Sequence, residues 1–396
     1  MQSDIIIVGG GVGGLAAALG FANKGRRSIV LEQSSQFGEI GAGIQLAPNA
    51  FHAFDYLGIG ERARSGAVFV DELVLMDAVA GDRIAGIPVK QPFRERFGNP
   101  YAVVHRADLH DALLDGCRAS GLVDLRVSSR VTRYEQDGSS VTVELQLGEK
   151  ISGAALIGAD GLWSTIRQSV VGDGAPVVSG HTTFRSVIPT ENMPEDLRWN
   201  AATLWAGPKC HLVHYPLKGW KVFNLVVTTD NSAPEPVAGM PTTKEEVHWS
   251  FPNISDRARQ IIDHGENWKR WVLCYREPVR NWVDGRVALL GDAAHPMLQY
   301  LAQGACQAME DAVCLSHLVD AYGDKIENAL VEYNRIRAPR TGRVQMTSRL
   351  IGEHIFHPDG AKADVRNAAM QACSPEEYYE SLAWLYDRKS LGIDIG

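Results

Sequence analysis

Five residues into the chain an apolar run begins that stops at a cluster of glycines. In DIIIVGGGVGGLAAALG, the strand-forming stretch Ile5 to Val8 stands directly before Gly9, Gly11 and Gly14, and a small-residue helical pattern, Leu15 to Asn23, follows at once. A strand that must turn straight into a helix over this spacing builds a nucleotide-binding βα turn. Gly9 permits the tight turn, Gly11 lets a pyrophosphate approach the backbone, and Gly14 lets helix and strand pack closely. The free N–H groups and the positive end of the helix dipole then meet the anion. Gly25 ends the helix, and a second strand, Arg27 to Leu31, delivers Glu32 eighteen residues past Gly14. A carboxylate there accepts hydrogen bonds from both ribose hydroxyls and repels a 2′-phosphate. The nucleotide held at this turn is therefore FAD or NAD, not NADP.

The rest of the chain narrows the class. At 396 residues it has room for two or three domains, inserted or in tandem. Its 45% hydrophobic and 22% charged residues are ordinary for a globular protein. The first strand starts within four residues of Met1, which leaves no room for a basic and apolar signal region, so the expected location is cytoplasmic. No stretch reads as a membrane span. A net charge of −8 without a long basic cluster argues against a nucleic-acid partner. An anionic substrate would then need local positive charge or hydrogen bonding. The cysteines, at 117, 210, 274, 306, 314 and 373, form no C-x-x-C and no His/Cys ligand cluster. They read as buried thiols, with no metal site among them.

Along the chain, Phe37 to Ala47, with Gly38, Gly41 and Gly43, reads as a mobile glycine-punctuated loop, followed by a helix signal at Pro48-Asn49. Strand patterns run near 68–78 and 81–90. HRADL, beginning at His105, opens a helix through Leu114, and several strands between 122 and 160 close on Asp160-Gly161. From about 180 to 275 the texture is β-rich, with a helical stretch around Lys244 to Asp263. Gly285 to Leu290 is a strand returning to Gly291-Asp292, and a helix runs from about Gly304 to Ala321. The last hundred residues are mostly helical, with Pro339 ending or kinking one helix. The fold class is α/β. A Rossmann-like nucleotide domain (1–80, 100–179 and 276–345) carries an inserted β-rich substrate domain (81–99 and 180–275) and a helical C-terminal region (346–396).

Two further motifs bear on the nucleotide. In GADGLWSTIR, Asp160 follows an apolar strand, and Gly161 turns the chain sharply into a helix carrying Ser164 and Arg167, packed around the dinucleotide. In VALLGDAAHPMLQYLAQGACQAMEDA, a buried strand ends at Gly291 and presents Asp292, whose carboxylate suits a ribityl hydroxyl. Gln303-Gly304-Ala305 then begins a helix whose N–H groups can face the N1/O2 edge of a flavin and stabilise the reduced, anionic ring.

With Gly9, Gly11, Gly14, Glu32, Arg106, Asp160-Gly161 and Gly291-Asp292 in this order, the chain resembles, over essentially its full length, the class A flavoprotein monooxygenases. These are single-component FAD aromatic hydroxylases related to 4-hydroxybenzoate and salicylate hydroxylases. Within that family, EPVRNWVDGRVALLGDAAHPMLQYLAQGA and GPKCHLVHYPLKG are most similar to 3-hydroxybenzoate 6-hydroxylases. The resemblance implies a glutathione-reductase type FAD domain, FAD held tightly without a covalent bond, and Gln45 among its contacts. It also implies a nicotinamide co-substrate bound transiently, NADH with NADPH as the alternative, because no second dinucleotide turn is visible.

CHLVHYPL carries the sharpest local reading. As a strand it places His211, Val213 and Tyr215 on one face and Cys210, Leu212 and His214 on the other. One face thus carries an imidazole and a phenol on an apolar wall. The family's phenolic substrates must lose a proton to become electron-rich, and imidazole titrates in that range. By resemblance, His211 is the base, Tyr215 binds the substrate carboxylate, and Gln299 orients the ring. His295 supports its loop, while His105 and His214 are structural. Arg185 matches an arginine common in the family and has no assigned role. The implied reaction reduces FAD with NADH and delivers one oxygen of O2 to the ring carbon para to the phenolate, giving 2,5-dihydroxybenzoate (gentisate). Salicylate 1-hydroxylation and 6-hydroxynicotinate 3-hydroxylation are the neighbouring alternatives. A regulatory FAD-binding protein without oxygenase activity and an NAD-dependent dehydrogenase are the alternatives of other classes. Tyr378, Tyr379, Trp384, Leu385 and Tyr386 suggest a homodimer.

Overall fold

The computed structural model describes residues 4–38 and 42–393. Gly41, one of the glycines of the expected loop, lies outside them. Ile5–Val8, Ser28–Leu31, Ala155–Gly158 and Val287–Leu289 are buried on both faces, as parallel strands covered by helices must be. They belong to a six-stranded sheet in the order 283–284, 287–289, 155–158, 5–8, 28–31, 123–126, parallel throughout except for the short outer strand Val283–Asp284. The helix Val12–Asn23, rich in alanine and glycine, packs closely between this sheet and the helix Gly304–Tyr322. Gly25, at φ +71°, closes it as expected.

The second layer is an eight-stranded sheet in the order 240–241, 269–275, 177–189, 222–230, 210–217, 201–207, 72–77, 83–88. It is antiparallel except where Ala201–Gly207 runs beside Glu72–Asp77. That parallel pairing moves the domain boundary expected at 80/81. Glu72–Asp77 and Arg83–Pro88 form one hairpin of the large sheet, so a cut at 80 divides it. The helix Gln91–Phe97, expected to accompany this sheet, instead sets Phe93 and Phe97 against Tyr379 and Tyr386 of the C-terminal helix Pro375–Tyr386. The outer face of the sheet is covered by two short helices, Lys244–Trp249 and Asp256–His264, where one long helical stretch was expected.

Two other expectations change. The loop from Phe37 to Ala47 contains a strand, Gly43–Leu46, paired with Ala102–His105. The helix Ile326–Ile351 runs on through Pro339 without ending there. The C-terminal aromatics pack inward: Tyr379 donates to the Pro88 carbonyl at 2.7 Å, and Tyr386 and Leu385 are buried. Trp384 is half-buried, with the Arg343 guanidinium 3.9 Å over its ring. Among the described residues, no helix is long and apolar enough to cross a membrane.

Candidate active site

One cavity of about 820 Å³ runs from the glycine turn to the inner face of the large sheet. That volume is in the range of small-molecule and cofactor sites. Its nucleotide end is mostly backbone. Gly9 sits at φ +110°, and a Cβ there would lie 2.3 Å from the Ala159 carbonyl oxygen; at Gly14 it would lie 2.0 Å from the Gly9 oxygen. Neither position admits a side chain. Gly11, Gly13 and Gly161 line the cavity, as do Gly304 and Ala305 at the N-terminus of the helix Gly304–Tyr322. Helix N-terminal N–H groups and the dipole make that end a site for an anion.

The acidic residues of this half do different jobs. Glu32 accepts from the backbone N–H of Gly10 (2.8 Å) and of Ser34 (2.8 Å), so it braces the turn, and it is not among the residues that line the cavity. Asp160 does not line the cavity. Its carboxylate accepts from Ser164 Oγ (2.5 Å) and from the N–H groups of Thr165 and Ile166, capping the helix Thr165–Val170. Burial raises its pKa against these bonds. Its neighbours Ala159 and Gly161 reach the cavity instead. Asp292 is exposed on the cavity with no hydrogen bond or ion pair among the described residues, which leaves both carboxylate oxygens available to a hydroxyl-bearing ligand. Gln45 lines the cavity and accepts from Tyr101 Oη at 2.6 Å; Arg106 lines it from the start of the helix Arg106–Ser120.

The loop carrying Asp292 is fastened from four sides. Asp311 accepts from the Gly291 N–H (3.0 Å) and pairs with His295 Nε2 (2.5 Å). Arg167, fully buried, donates to the carbonyls of Ala293 and Ala294; Gln345 donates to Pro296 and Ser348 to Leu298. Burial alone would raise the Asp311 carboxyl, but His295 and Arg337 pull it down to about 2. His295 is thus a loop support, as its sequence position suggested. Likewise His110 Nε2, 2.8 Å from the Gly10 carbonyl, holds the glycine turn.

At the other end the strand Cys210–Leu217 turns His211, Val213 and Tyr215 into the cavity, in the alternation its sequence implies. His211 is 2% exposed and its Nδ1 lies 2.8 Å from His357 Nε2. Burial, then the neighbouring His357 and His181, hold its pKa well below the ordinary imidazole value, so it is neutral at pH 7. Tyr215 rests against Gly43, where a Cβ would come within 2.7 Å of its hydroxyl oxygen. Burial raises the Tyr215 phenol, opposed by Arg185 and Arg106, so it stays a donor. Arg185 lines the same space. Its guanidinium lies 5.3 Å over the Trp271 ring, its Nη2 donates to Gln299 Oε1 at 2.9 Å, and its buried Nε has no partner among the described residues. Burial lowers its pKa only to about 10, so it remains a cation. Gln299 reaches the cavity, but its amide is engaged on both sides, by Arg185 and by Thr183 and Thr228. It therefore holds Arg185 before it can hold a ring. Cys210 and Cys306 are pushed up to about 12 by burial and stay thiols; Cys373, expected buried, is exposed.

Residues 2–348 match the model of a family described as "FAD binding domain". The chain belongs to that family. It is 55% identical to 3-hydroxybenzoate 6-hydroxylase 1 of Aquipseudomonas alcaligenes over 99% of both chains, and 50% identical to 3-hydroxybenzoate 6-hydroxylase of Polaromonas naphthalenivorans over 96% and 95% of the two chains. Among solved structures it is similar to Klebsiella pneumoniae HpxO complexed with FAD and uric acid, with a TM-score of 0.85, 26% identity, and coverage of 96% and 95%. It shares the fold of a salicylate hydroxylase substrate complex, with a TM-score of 0.84 and 24% identity over 100% and 99%. The nucleotide end fits the FAD of this family: a glycine turn closed to side chains, an unengaged Asp292, and a helix N-terminus on one cavity. Of the residues that position this site without touching the cavity, Arg167 was read from the sequence as packing around the dinucleotide, whereas His110 and Asp311 went unassigned. The Glu310-Asp311 pair within an otherwise apolar helical stretch was the signal, since acids on a buried face must be paired.

Proposed function

We infer that this chain is a flavin-dependent monooxygenase that converts 3-hydroxybenzoate to 2,5-dihydroxybenzoate with NADH and O2. The observation that carries the reading is a single wall of the cavity bearing a neutral buried imidazole at one end and a phenol beside a buried cation at the other. His211 and Tyr215 are four residues apart on one strand, about 13 Å at the backbone. That leaves room for one benzene ring with an acidic hydroxyl toward His211 and a carboxylate toward Tyr215. Full-length identity with two 3-hydroxybenzoate 6-hydroxylases supports the substrate.

Each residue then has a chemical task. His211 Nε2, the nitrogen left free by the bond to His357, takes the phenolic proton. Tyr215 donates to the carboxylate, and Arg185 supplies the positive charge that a chain of net −8 must concentrate locally. Gln299 fixes Arg185. Leu73, Leu75, Val213, Val226 and Met297 give the ring an apolar wall. Asp292 would hold the ribityl chain of FAD, and the N–H groups at Gly304 and Ala305 would stabilise negative charge on its reduced ring. Reduced FAD with O2 supplies the electrophilic oxygen. Salicylate, with its hydroxyl adjacent to the carboxylate, spans the wall less well than the meta isomer.

The test is a panel of 3-hydroxybenzoate, salicylate and 6-hydroxynicotinate, scored by NADH consumption and by product identity. Acceleration by 3-hydroxybenzoate with 2,5-dihydroxybenzoate as product is expected. Catechol from salicylate at a higher kcat/KM, or no acceleration by any of the three, contradicts the reading.

A further inference from the structure

We propose that His357 is a relay residue, which carries the proton collected by His211 from the cavity wall to solvent and returns one at the end of the cycle. The inference rests on the reading of His211 as the base and extends it. A buried base that takes a proton must dispose of it. The His211 ring is hemmed by Tyr300 (5.4 Å between centroids), Phe356 (5.1 Å) and His357 (5.0 Å, nearly parallel). Its ring makes one hydrogen bond among the described residues, Nδ1 to His357 Nε2 at 2.8 Å, and this is the exit.

The bond also sets the tautomers. For Nε2 of neutral His211 to accept the phenolic proton, the imidazole hydrogen must sit on Nδ1 and be donated to His357 Nε2, so His357 carries its own hydrogen on Nδ1. His357 is held in place by its backbone: its N–H donates to Gly352 (3.0 Å), and its carbonyl accepts from Lys209, two residues before His211. Partly exposed, it stands 5.4 Å from the His181 ring. His181 Nδ1 is hydrogen bonded to Tyr300 Oη, and its Nε2 lies 4.0 Å from Asp230 Oδ2, whose side chain is 34% exposed. These groups, His211, His181, Tyr300 and Asp230, are the titratable neighbours of His357, and they lead from the cavity wall to the surface.

The proton steps balance. The phenolic O–H bond breaks as His211 Nε2–H forms; Nδ1–H of His211 passes to His357 Nε2; the Nδ1–H of His357 passes to water. As the hydroxylated ring rearomatises, its C–H bond breaks and that proton leaves to water; the reverse sequence takes one proton from water at His357 Nδ1 and returns one to the phenolic oxygen from His211 Nε2. Both imidazoles then recover their starting tautomers. Burial disfavours an imidazolium at either position, so the charge does not rest there.

The experiment mixes full-length, FAD-loaded protein with 3-hydroxybenzoate in weak buffer containing a pH indicator. Proton release and phenolate absorbance are followed by stopped flow, with flavin content as the folding check. Wild type should release a proton as phenolate forms. His357→Phe should slow both on the order of 100-fold, the lower end for loss of a proton-transfer group, and added imidazole should restore them. His357→Gln, which keeps a hydrogen bond but passes no proton, should remain slow. Wild-type release in either variant, or slow release that imidazole does not restore, overturns the relay and leaves at most a positioning role. His211→Ala run in parallel separates the two readings. Loss of phenolate there with fast release in His357→Phe sinks the relay alone, whereas wild-type phenolate formation in His211→Ala, or no binding of 3-hydroxybenzoate to wild type, sinks the base assignment or the substrate, and the relay with it.

Discussion

The two faces of the strand Cys210–Leu217 carry the same side chain to opposite ends. His211 borders the cavity and is bonded to His357, within a set of groups that reaches the surface. His214, three residues on, points into the packed layer beneath the helices 244–249 and 256–264. There it lies among Trp199, Trp205 and Phe223, with no hydrogen-bond partner for either nitrogen among the described residues. Both are buried and both are held neutral, His214 by burial alone, down to about 3. Burial and a depressed pKa therefore do not make a base. What separates the two is one nitrogen facing a substrate-sized space and the other connected to a proton acceptor.

Substitution can break or sharpen this contrast. The largest effect belongs to the cavity face: His211→Ala should slow single-turnover hydroxylation about 10²–10⁴-fold with flavin content unchanged, while His214→Phe stays within about twofold of wild type. Equal losses in both variants would erase the distinction between the faces.

Arg185→Met comes next. It removes a cation and its hydrogen bonds to the carboxylate, each worth about 1.5–3 kcal/mol, so 3-hydroxybenzoate should bind roughly 10–150-fold more weakly by titration of the flavin spectrum. Wild-type affinity would place the carboxylate elsewhere. Release of Gln299, whose Oε1 now accepts from Arg185, should add only a small loss.

The smallest effect lies on the packed face and concerns stability. The folded pKa of His214 is about 3, against an ordinary value of 6.5. Below pH 6.5 the unfolded chain binds a proton that the folded chain refuses, so its stabilising contribution is complete above pH 6.5 and is lost as the pH falls toward 3. His357, lowered by burial to about 4, behaves in the same sense. His214→Phe should therefore flatten the decline, losing about 1 kcal/mol less than wild type between pH 6 and pH 5. Parallel urea-denaturation results at the two pH values would show that His214 is hydrated in the folded protein.

The nucleotide half was largely legible because its chemistry is local. Strand, glycine turn, helix and Glu32 fall within 32 residues, and Gly291-Asp292 precedes its helix by a dozen. The alternation of CHLVHYPL was equally readable, since period-2 geometry needs no tertiary information. What escaped depends on which distant segments meet. Glu72–Asp77 joins Ala201–Gly207 across more than a hundred residues, which shifted the domain boundary. Arg185 acquires Gln299 from 114 residues away and His211 acquires His357 from 146. Asp160 was misplaced for the opposite reason. Its best partners are the Ser164 hydroxyl four residues ahead and the N–H groups five and six residues ahead, and a helix cap engages the carboxylate.

The claim at the centre of this account is that His211 removes the phenolic proton. The most direct measurement is the ratio of 2,5-dihydroxybenzoate formed to NADH consumed, from pH 6 to pH 10, for wild type, His211→Ala and His214→Phe. Wild type and His214→Phe should stay coupled throughout. His211→Ala should spill electrons to H2O2 at low pH and recover as the pH rises, because free substrate then arrives already as phenolate. A His211→Ala protein as well coupled as wild type at pH 6 would contradict the claim and leave His211 a packing residue.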